Sequence, residues 1–186
     1  MDHENPGHVF FNPLRAEFSR RMSEIAFAVV YGPVLQAVAM ERMDAGPGGP
    51  TDPDLRGTDV VLRLRSGRRV TVAERFRLMH YLHFDDVTVR FRSLVTGRVL
   101  EIAGLNAQYM LYAVTDAEDY RGGSCLLRWD LLNGPRLLEV VEEWMVANRR
   151  ENVNQNGSSS FVGIPRPVLF RAGAIVASSH PVARIA

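Results

Sequence analysis

The stretch DVVLRLRSGRRVTVAERFR, residues 59–77, has the pattern of a two-stranded β-hairpin. Apolar residues alternate with polar or charged ones on both sides of Ser66-Gly67, and a short break containing glycine between two such runs is a hairpin signal. The stretch holds six arginines and only two acids, Asp59 at its start and Glu74 near its end. The hairpin indicates a fold that contains a β-sheet. Its two acids, surrounded by arginines, are the candidate functional residues.

The register of the hairpin decides what the two acids can do. If Ser66 and Gly67 form a two-residue loop, Asp59 lies directly opposite Glu74, with the two Cβ atoms about 5 Å apart. Two carboxylates at that distance repel each other unless a positive charge lies between them, and a divalent cation can supply it. A three-residue loop instead places Asp59 opposite Arg75 as a cross-strand ion pair. The sequence leaves both alternatives open.

Helical spacing precedes the hairpin. An amphipathic helix is predicted from Asn12-Pro13 onward, because apolar residues recur at the required intervals: Leu14, Phe18, Met22, Ile25 and Val29. Gly32-Pro33 should bend or break this helix. The apolar run over residues 34–43 is then predicted to resume as a second helical segment, and residues 44–57 to form a loop.

The remaining chain alternates strand and helix patterns. Strands are predicted at residues 58–65, 68–77, 86–93, 98–102, 109–115, 124–131 and 160–164, and a helix at residues 135–150. This order is typical of the α/β (α+β) class, with a mixed central β-sheet flanked by helices. We expect an N-terminal helical segment and loop packed on the core (residues 1–57), the α/β core itself (58–172) and a C-terminal tail (173–186).

Composition limits the class of protein. A chain of 186 residues with 46% hydrophobic content suits one compact domain with a substantial core. The single cysteine, Cys125, cannot form an intramolecular disulfide, and its apolar surroundings predict a buried thiol. The start of the chain lacks the pattern of a signal peptide, and no apolar run approaches the roughly 18 residues of a membrane span. We expect a cytoplasmic protein without a membrane partner.

Positive charge is concentrated in the middle of the chain. All 22 basic residues are arginine, and residues 56–98 contain ten of them against four acids, a local charge of +6 in a chain of net charge +1. Such a region attracts a polyanion, although a solvated sheet face with arginines protecting a strand edge would have the same composition. The residues predicted to contact DNA are Arg63, Arg65, Arg77, Arg90 and Arg92.

A second group of candidate ligands follows the hairpin. His80, His83 and Asp85 have a spacing that a metal site could use. The neighbouring sequence supplies no defined fourth ligand, so these histidines are interpreted as surface or loop residues and are left out of the predicted site.

The hairpin and the segment after it resemble a known family. An acid opens one strand, a hairpin with glycine follows, and an acid and a base lie late in the next strand, all preceded by a helix that bears Glu24. Together with the segments VAERFR (72–77) and DDVTVR (85–90), this order resembles the PD-(D/E)XK nuclease superfamily, in particular its small phage and bacterial members. The likeness covers roughly residues 57–170 and implies a restriction-endonuclease-like fold.

This resemblance implies metal-dependent hydrolysis of phosphodiester bonds in DNA by an endonuclease or exonuclease, and it is compatible with structure-selective cleavage of the junction or repair type. Asp59 and Glu74 would hold Mg²⁺ or Mn²⁺, and Arg75 would occupy the place of the family's lysine. Glu24 would be the outer acid that binds a metal-coordinated water. DNA is the implied partner, and a homodimer is left open.

The motif also departs from the family at three places, one of which is Arg90, where related members have an acid. Arg75 can clamp a phosphate but cannot act as a proton shuttle, and position 73 is Ala73 where related members have glutamine. Strand alternation directs Glu74 and Arg75 to opposite faces unless a bulge lies at residues 73–75. The alternative function is therefore a catalytically degenerate nuclease fold that acts as a nucleic-acid-binding or structural assembly module.

Overall fold

The computed structural model describes residues 13–43, 58–93, 105–148, 152–153 and 159–181. The predicted loop over residues 44–57 and the predicted strand over residues 98–102 lie outside these ranges. Among the described residues, no helix is both long and apolar enough to cross a membrane.

The N-terminal helix continues through the point where a break was predicted. Helix α1 (Pro13–Ala26) runs into a π-helical turn (Phe27–Tyr31) and a short helix α2 (Gly32–Leu35). The Gly32 amide donates to the carbonyl of Phe27, five residues earlier, and Pro33 has no amide to contribute. The widened turn thus accommodates the proline, and the helix ends only at Gln36, whose φ of 58° is left-handed.

The predicted second helical segment over residues 34–43 is wrong. Residues Ala37–Arg42 form strand β1, which pairs antiparallel with β2 (Val60–Leu64). The left-handed residue at position 36 stops the helix, and hydrogen bonds to β2 then favour the extended chain over the helical propensity of AVAMER. Strand β1 therefore joins the sheet, although it belongs to the part of the chain that was assigned to a helical segment.

The described residues form a central sheet of six strands, and the prediction that this sheet is mixed is confirmed. After β1 and β2 come β3 (Arg69–Arg77), β5 (Tyr109–Thr115), β6 (Leu126–Asn133) and β9 (Ile175–Ser178), in the spatial order β1-β2-β3-β5-β6-β9. Strands β3 and β5 are parallel, and every other neighbouring pair is antiparallel. Residues 175–178, predicted as part of a tail, therefore pair with the core.

A second, smaller sheet covers one side of the first. Its strands are β4 (Asp86–Ser93), β8 (Ser159–Pro165) and β7 (Asn152–Val153), in the order β4-β8-β7. Helix α3 (Gly134–Asn148) follows β6, and helix α4 (Arg166–Arg171) follows β8. The predicted strand at residues 86–93 is confirmed, but it pairs in this small sheet instead of the central one.

The central sheet has a hydrophobic cluster on each face, and β3 contributes to both. Val72 packs with Val30, Tyr31 and other residues beneath the N-terminal helices. Its neighbour Ala73 packs on the opposite face, in the cluster that includes the small sheet and helices α3 and α4. Because side chains alternate along a strand, Glu74 lies on the α1 side of the sheet and Arg75 on the other.

The prediction of a buried thiol at Cys125 is wrong. The residue is exposed, and it lies just before β6 in a turn closed by Asp116. One carboxylate oxygen of Asp116 accepts the backbone amides of Ser124 and Cys125, and these hydrogen bonds lower the pKa of Asp116 to about 2. The apolar residues after Cys125 misled the assignment, because the turn ends before the buried part of the strand begins.

Candidate functional site

The hairpin has a different register from both alternatives that the sequence offered. Val60 pairs with Val72 and Arg63 with Arg69, and the amide of Leu64 bonds to the carbonyl of Arg68. The loop therefore contains Arg65, Ser66 and Gly67, with Gly67 at a φ of +84°, which favours glycine because it has no Cβ. This register displaces Asp59 by one position from Glu74, towards the level of Ala73.

Asp59 and Glu74 nevertheless meet, through the backbone. The two acids belong to adjacent antiparallel segments, as predicted, and the amide of Glu74 donates a 2.5 Å hydrogen bond to Oδ2 of Asp59. The Asp59 carboxylate is thereby occupied in fixing the β3 backbone where Glu74 begins. The prediction that the two acids are neighbours is confirmed, whereas direct cross-strand opposition is wrong.

The Glu74 carboxylate lies in a buried polar network on the α1 side of the sheet. Its side chain is 3% exposed. Oε1 accepts a 2.8 Å hydrogen bond from the hydroxyl of Tyr31, on the π-helical turn. Oε2 accepts hydrogen bonds from Ser23 on α1 and from Arg42 at the end of β1, the latter at 3.2 Å. Arg42 also donates to the hydroxyl of Ser23.

Burial controls the ionisation of this network. The pKa of Glu74 is raised from 4.5 to about 7, and the largest cause is burial, which removes the carboxylate from water. The negative charge of Asp59 also raises this pKa, whereas hydrogen bonds from Ser23 and Tyr31 and the positive charge of Arg42 lower it. The pKa of Tyr31 is also well above its ordinary value, first because of its burial and then because of the negative charge of Glu74. Near neutral pH the Glu74 carboxyl is thus divided between its protonated and ionised forms.

The residues around Glu74 do not fit the divalent metal that the family resemblance implies. Both Glu74 oxygens accept hydrogen bonds from protein groups, and Oδ2 of Asp59 accepts the Glu74 amide. The guanidinium of Arg42 already supplies positive charge beside the carboxylate. Within the described ranges, no group of three or more His, Cys, Asp or Glu side chains could hold a metal ion. A hard cation needs six or more oxygen ligands, which this network does not offer.

The helix residue at the site is Ser23, whereas the sequence predicted Glu24. Glu24 is exposed on α1, and Glu17 pairs with Arg20 on the same helix surface. Successive helix residues point about 100° apart, so the burial of Phe18, Met22 and Ala26 directs Ser23 inward and Glu24 outward. Tyr31 and Arg42 were missed as well, because the sequence showed neither the π-helical turn nor strand β1.

Arg75 does not contribute to the Glu74 network. Strand β3 pairs with β5 in unbroken register from Val72 opposite Tyr109 to Arg77 opposite Val114, so there is no bulge at residues 73–75. Arg75 therefore lies on the opposite face of the sheet from Glu74. The predicted acid and base of the catalytic motif are separated by the sheet itself.

Arg75 instead lines a cavity of about 770 Å³ on the other face, which we call the basic cavity. Its walls come from α1, the end of β3, the segment 79–85, β4, the β5–β6 connection and the small sheet. The lining residues are Arg15, Arg75, Arg77, His80, Tyr81, His83, Phe84, Asp86, Thr88, Arg90, Tyr120, Val153 and Phe161. Among the described lining residues, four arginines, two histidines and four aromatic rings thus surround one carboxylate, that of Asp86.

The cavity wall is held together by contacts among its own residues. The guanidinium of Arg77 lies 3.7 Å from the centre of the Tyr81 ring. The Thr88 and Tyr112 hydroxyls are 3.2 Å apart, and this contact connects β4 to β5 of the central sheet. Burial raises the pKa of Asp86, although Arg77 and Arg128 oppose the shift.

Two buried arginines outside the cavity fix the segment that carries its histidines. Arg128 on β6 donates to the carbonyls of Leu82 and Phe84, at 3.1 Å and 2.6 Å. Arg166 on α4 forms an ion pair with Asp85 at 3.0 Å, and its backbone amide bonds to the carbonyl of the same residue. The segment 79–85 thus lies on the surface, and hydrogen bonds and an ion pair from the buried residues Arg128 and Arg166 hold it in place.

The predicted DNA contacts fall in two separate places. Arg77 and Arg90 line the basic cavity, whereas Arg63 and Arg65 are exposed at the hairpin end. At about 3.3 Å per residue, the hairpin end of β3 lies more than 20 Å from Arg77. Arg92 lies on β4, but its side chain is outside the described part of the structure. His80 and His83, which were left out of the predicted site, line the cavity. The aromatic residues beside them in the sequence, Tyr81 and Phe84, were the feature from which their place in the site could have been predicted.

Comparison with protein-family models, with curated proteins and with solved structures gives no match for this chain.

Proposed function

We propose that this chain is a nucleic-acid-binding protein and that the basic cavity is where it holds the phosphate backbone. This is the function of a nuclease-like fold without catalysis, the alternative that the departing motif suggested. The observation that carries the proposal is the convergence of Arg15, Arg75, Arg77 and Arg90 on one concave wall. Arginine forks suit phosphate oxygens, and a cavity concentrates their field.

Aromatic side chains in the same cavity favour a nucleic acid over a plain polyanion. Tyr81, Phe84, Tyr120 and Phe161 line it beside the arginines. Proteins that bind nucleic acid strands combine a positive groove with rings on which bases stack. The mixed sheet, with a helix before it and acids at the β2–β3 hairpin, is compatible with the restriction-endonuclease-like architecture that the proposal includes.

Salt-dependent binding tests the proposal. Fluorescence anisotropy with a labelled DNA oligonucleotide should give an affinity that falls steeply with salt, each neutralised phosphate contributing about 0.7 to the log-log slope for a single strand and about 0.9 for a duplex. Arg77→Ala should weaken binding and flatten the slope. Arg63→Ala, an exposed arginine at the hairpin end, is the matched control and should change binding much less. An affinity for DNA that does not change with salt concentration would contradict the proposal. So would an equal loss of affinity in Arg63→Ala and Arg77→Ala.

A metal-dependent deoxyribonuclease is the second candidate, and one observation favours it: Asp59 and Glu74 meet on adjacent segments. Against it stand the engagement of both Glu74 oxygens and the position of Arg75 on the opposite face. Cleavage assays with linear, nicked and branched DNA, each with Mg²⁺ or Mn²⁺, separate the two candidates. Cutting that Asp59→Asn abolishes would favour the nuclease, and binding without cutting would favour the first proposal.

A further inference from the structure

We propose that the basic cavity accepts one unpaired nucleotide of a single strand, and that Asp86 accepts a hydrogen bond from the exocyclic amino group of its base. The inference rests on the proposed function and adds a strand type and a base preference to it. Asp86 is thereby assigned as a residue that determines specificity.

The size of the cavity supports an unpaired nucleotide. Its volume of about 770 Å³ lies in the range of sites that enclose a small ligand, roughly 300–1,000 Å³. Bases inside a duplex are stacked on each other and cannot present their faces to protein rings, whereas an unpaired base can. A duplex would contact only the rim.

Phe84 provides the ring best placed to stack on such a base. It is a cavity-lining residue that is 47% exposed. The His83 ring lies against it with centroids 3.9 Å apart, and the Tyr81 ring is 6.1 Å away. Because Arg128 holds the carbonyls of Leu82 and Phe84, this aromatic surface is ordered before a ligand arrives, which lowers the entropic cost of binding.

Asp86 divides the cavity into two chemical regions. The described residues place no arginine within ion-pair distance of its carboxylate, although the charges of Arg77 and Arg128 act on it. A phosphate near Asp86 would be repelled and is better placed beside the arginines, whereas an amino group of a neutral base is a suitable donor to a carboxylate. The ligand is therefore oriented, with its phosphates at the arginines and its base edge at Asp86.

The position of the Asp86 carboxylate depends on a glycine across the small sheet. Gly163 on β8 pairs next to it, opposite Thr88, and a Cβ at position 163 would lie only 2.6 Å from Oδ2 of Asp86. Any larger residue there would displace the carboxylate. Gly163 thus keeps open the space in which Asp86 lies.

Cytosine and thymine strands test the base preference, since cytosine carries an exocyclic amino group and thymine carries a carbonyl oxygen in its place. In anisotropy measurements at one salt concentration, the wild type should bind oligo(dC) roughly tenfold more tightly than oligo(dT), the value of one charge-assisted hydrogen bond. Asp86→Ala should bring this ratio close to one. Arg15→Ala is the control: Arg15 also lines the cavity but is not among the charges that act on Asp86, so this change should weaken both strands by the same factor.

Strand type and folding are tested with the same readout. Phe84→Ala, a change at an exposed side chain, should weaken binding of both single strands but leave duplex affinity unchanged, and it keeps the inference testable if Asp86→Ala fails to fold. Inorganic polyphosphate should compete less well than a single strand of equal charge. An unchanged dC:dT ratio in Asp86→Ala, or equal binding of single strand and duplex, would overturn the inference while leaving the proposed function intact. Equal binding of polyphosphate would contradict both the inference and the preference for a nucleic acid. Absence of all salt-dependent binding would remove the inference and the proposed function together.

Discussion

The hydroxyl of Tyr31 donates a 2.8 Å hydrogen bond to the Glu74 carboxylate from a π-helical turn. This contact connects the N-terminal helices to the central sheet at a buried acid whose second oxygen is held by Ser23 and Arg42. Three elements thus converge on one carboxylate, and its ionisation is coupled to their packing.

We expect Glu74 to make the protein less stable as pH rises from about 4.5 to about 7. Its pKa is raised from 4.5 to about 7 in the folded protein, so the folded state binds the proton more tightly and this stabilisation is lost as pH rises through the folded pKa. The loss is about 3 kcal/mol at most. Urea unfolding at several pH values should show this slope, to which Asp86 adds with the same sign.

Glu74→Gln should remove most of the slope, because glutamine does not titrate in this range. Glu24→Gln, at an exposed acid on the same side of the molecule, should leave it unchanged. If Glu74→Gln and the wild type lose stability equally between pH 5 and pH 8, Glu74 does not titrate as described.

Tyr31→Phe should destabilise the protein by about 1–3 kcal/mol, because the buried Glu74 carboxylate loses a donor that water cannot replace. The pKa of Glu74 should also rise, which extends the pH-dependent loss of stability to higher pH. Tyr120→Phe serves as the control, since the Tyr120 ring packs on Phe18 and the donors to Glu74 are Ser23, Tyr31 and Arg42. Equal effects of the two changes in urea unfolding would contradict the role of the Tyr31 hydroxyl.

Arg166→Met should cost about 3–5 kcal/mol of unfolding free energy, because Asp130 would remain buried without its ion pair. The same change releases Asp85 and loosens the segment 79–85, so affinity for DNA should fall as well. The surface arginine Arg136 pairs with Glu139, and Arg136→Met should lower the unfolding free energy much less than Arg166→Met does, because solvent screens an exposed ion pair. Chemical denaturation of both variants is the measurement, and a small loss in Arg166→Met would contradict the buried ion pair.

Millimolar Mg²⁺ should not raise the thermal unfolding temperature of the protein, and a chelator should not lower it. The reason is that Arg42 already neutralises Glu74, and Asp59 is engaged by the β3 backbone. A ligand that binds only the folded state would stabilise it, so the melting temperature is a direct test of metal binding. A stabilisation by Mg²⁺ that Asp59→Asn abolishes would show that the two acids hold a metal after all.

Local pattern was sufficient for much of the fold. The strands of the hairpin and the long helix Gly134–Asn148 are marked by a periodicity of side chains that the structure retains. The strand at residues 109–115 is marked instead by a continuous apolar run, and it is buried along almost its whole length. Strand alternation also predicted that Glu74 and Arg75 point to opposite faces, and the unbroken pairing of β3 with β5 keeps them there.

Only the tertiary structure determined the register of the hairpin, the pairing of β1 and the position of the basic cavity. A hairpin loop of three residues, ending at Gly67, shifted Asp59 by one position, because the register depends on which residue takes the left-handed turn. Strand pairing made β1 from a helix-like segment, and only then did Arg42 reach Glu74. The basic cavity is assembled from arginines more than 70 positions apart in the chain, so their convergence follows from packing of the two sheets, and the sequence determined only that the charges exist.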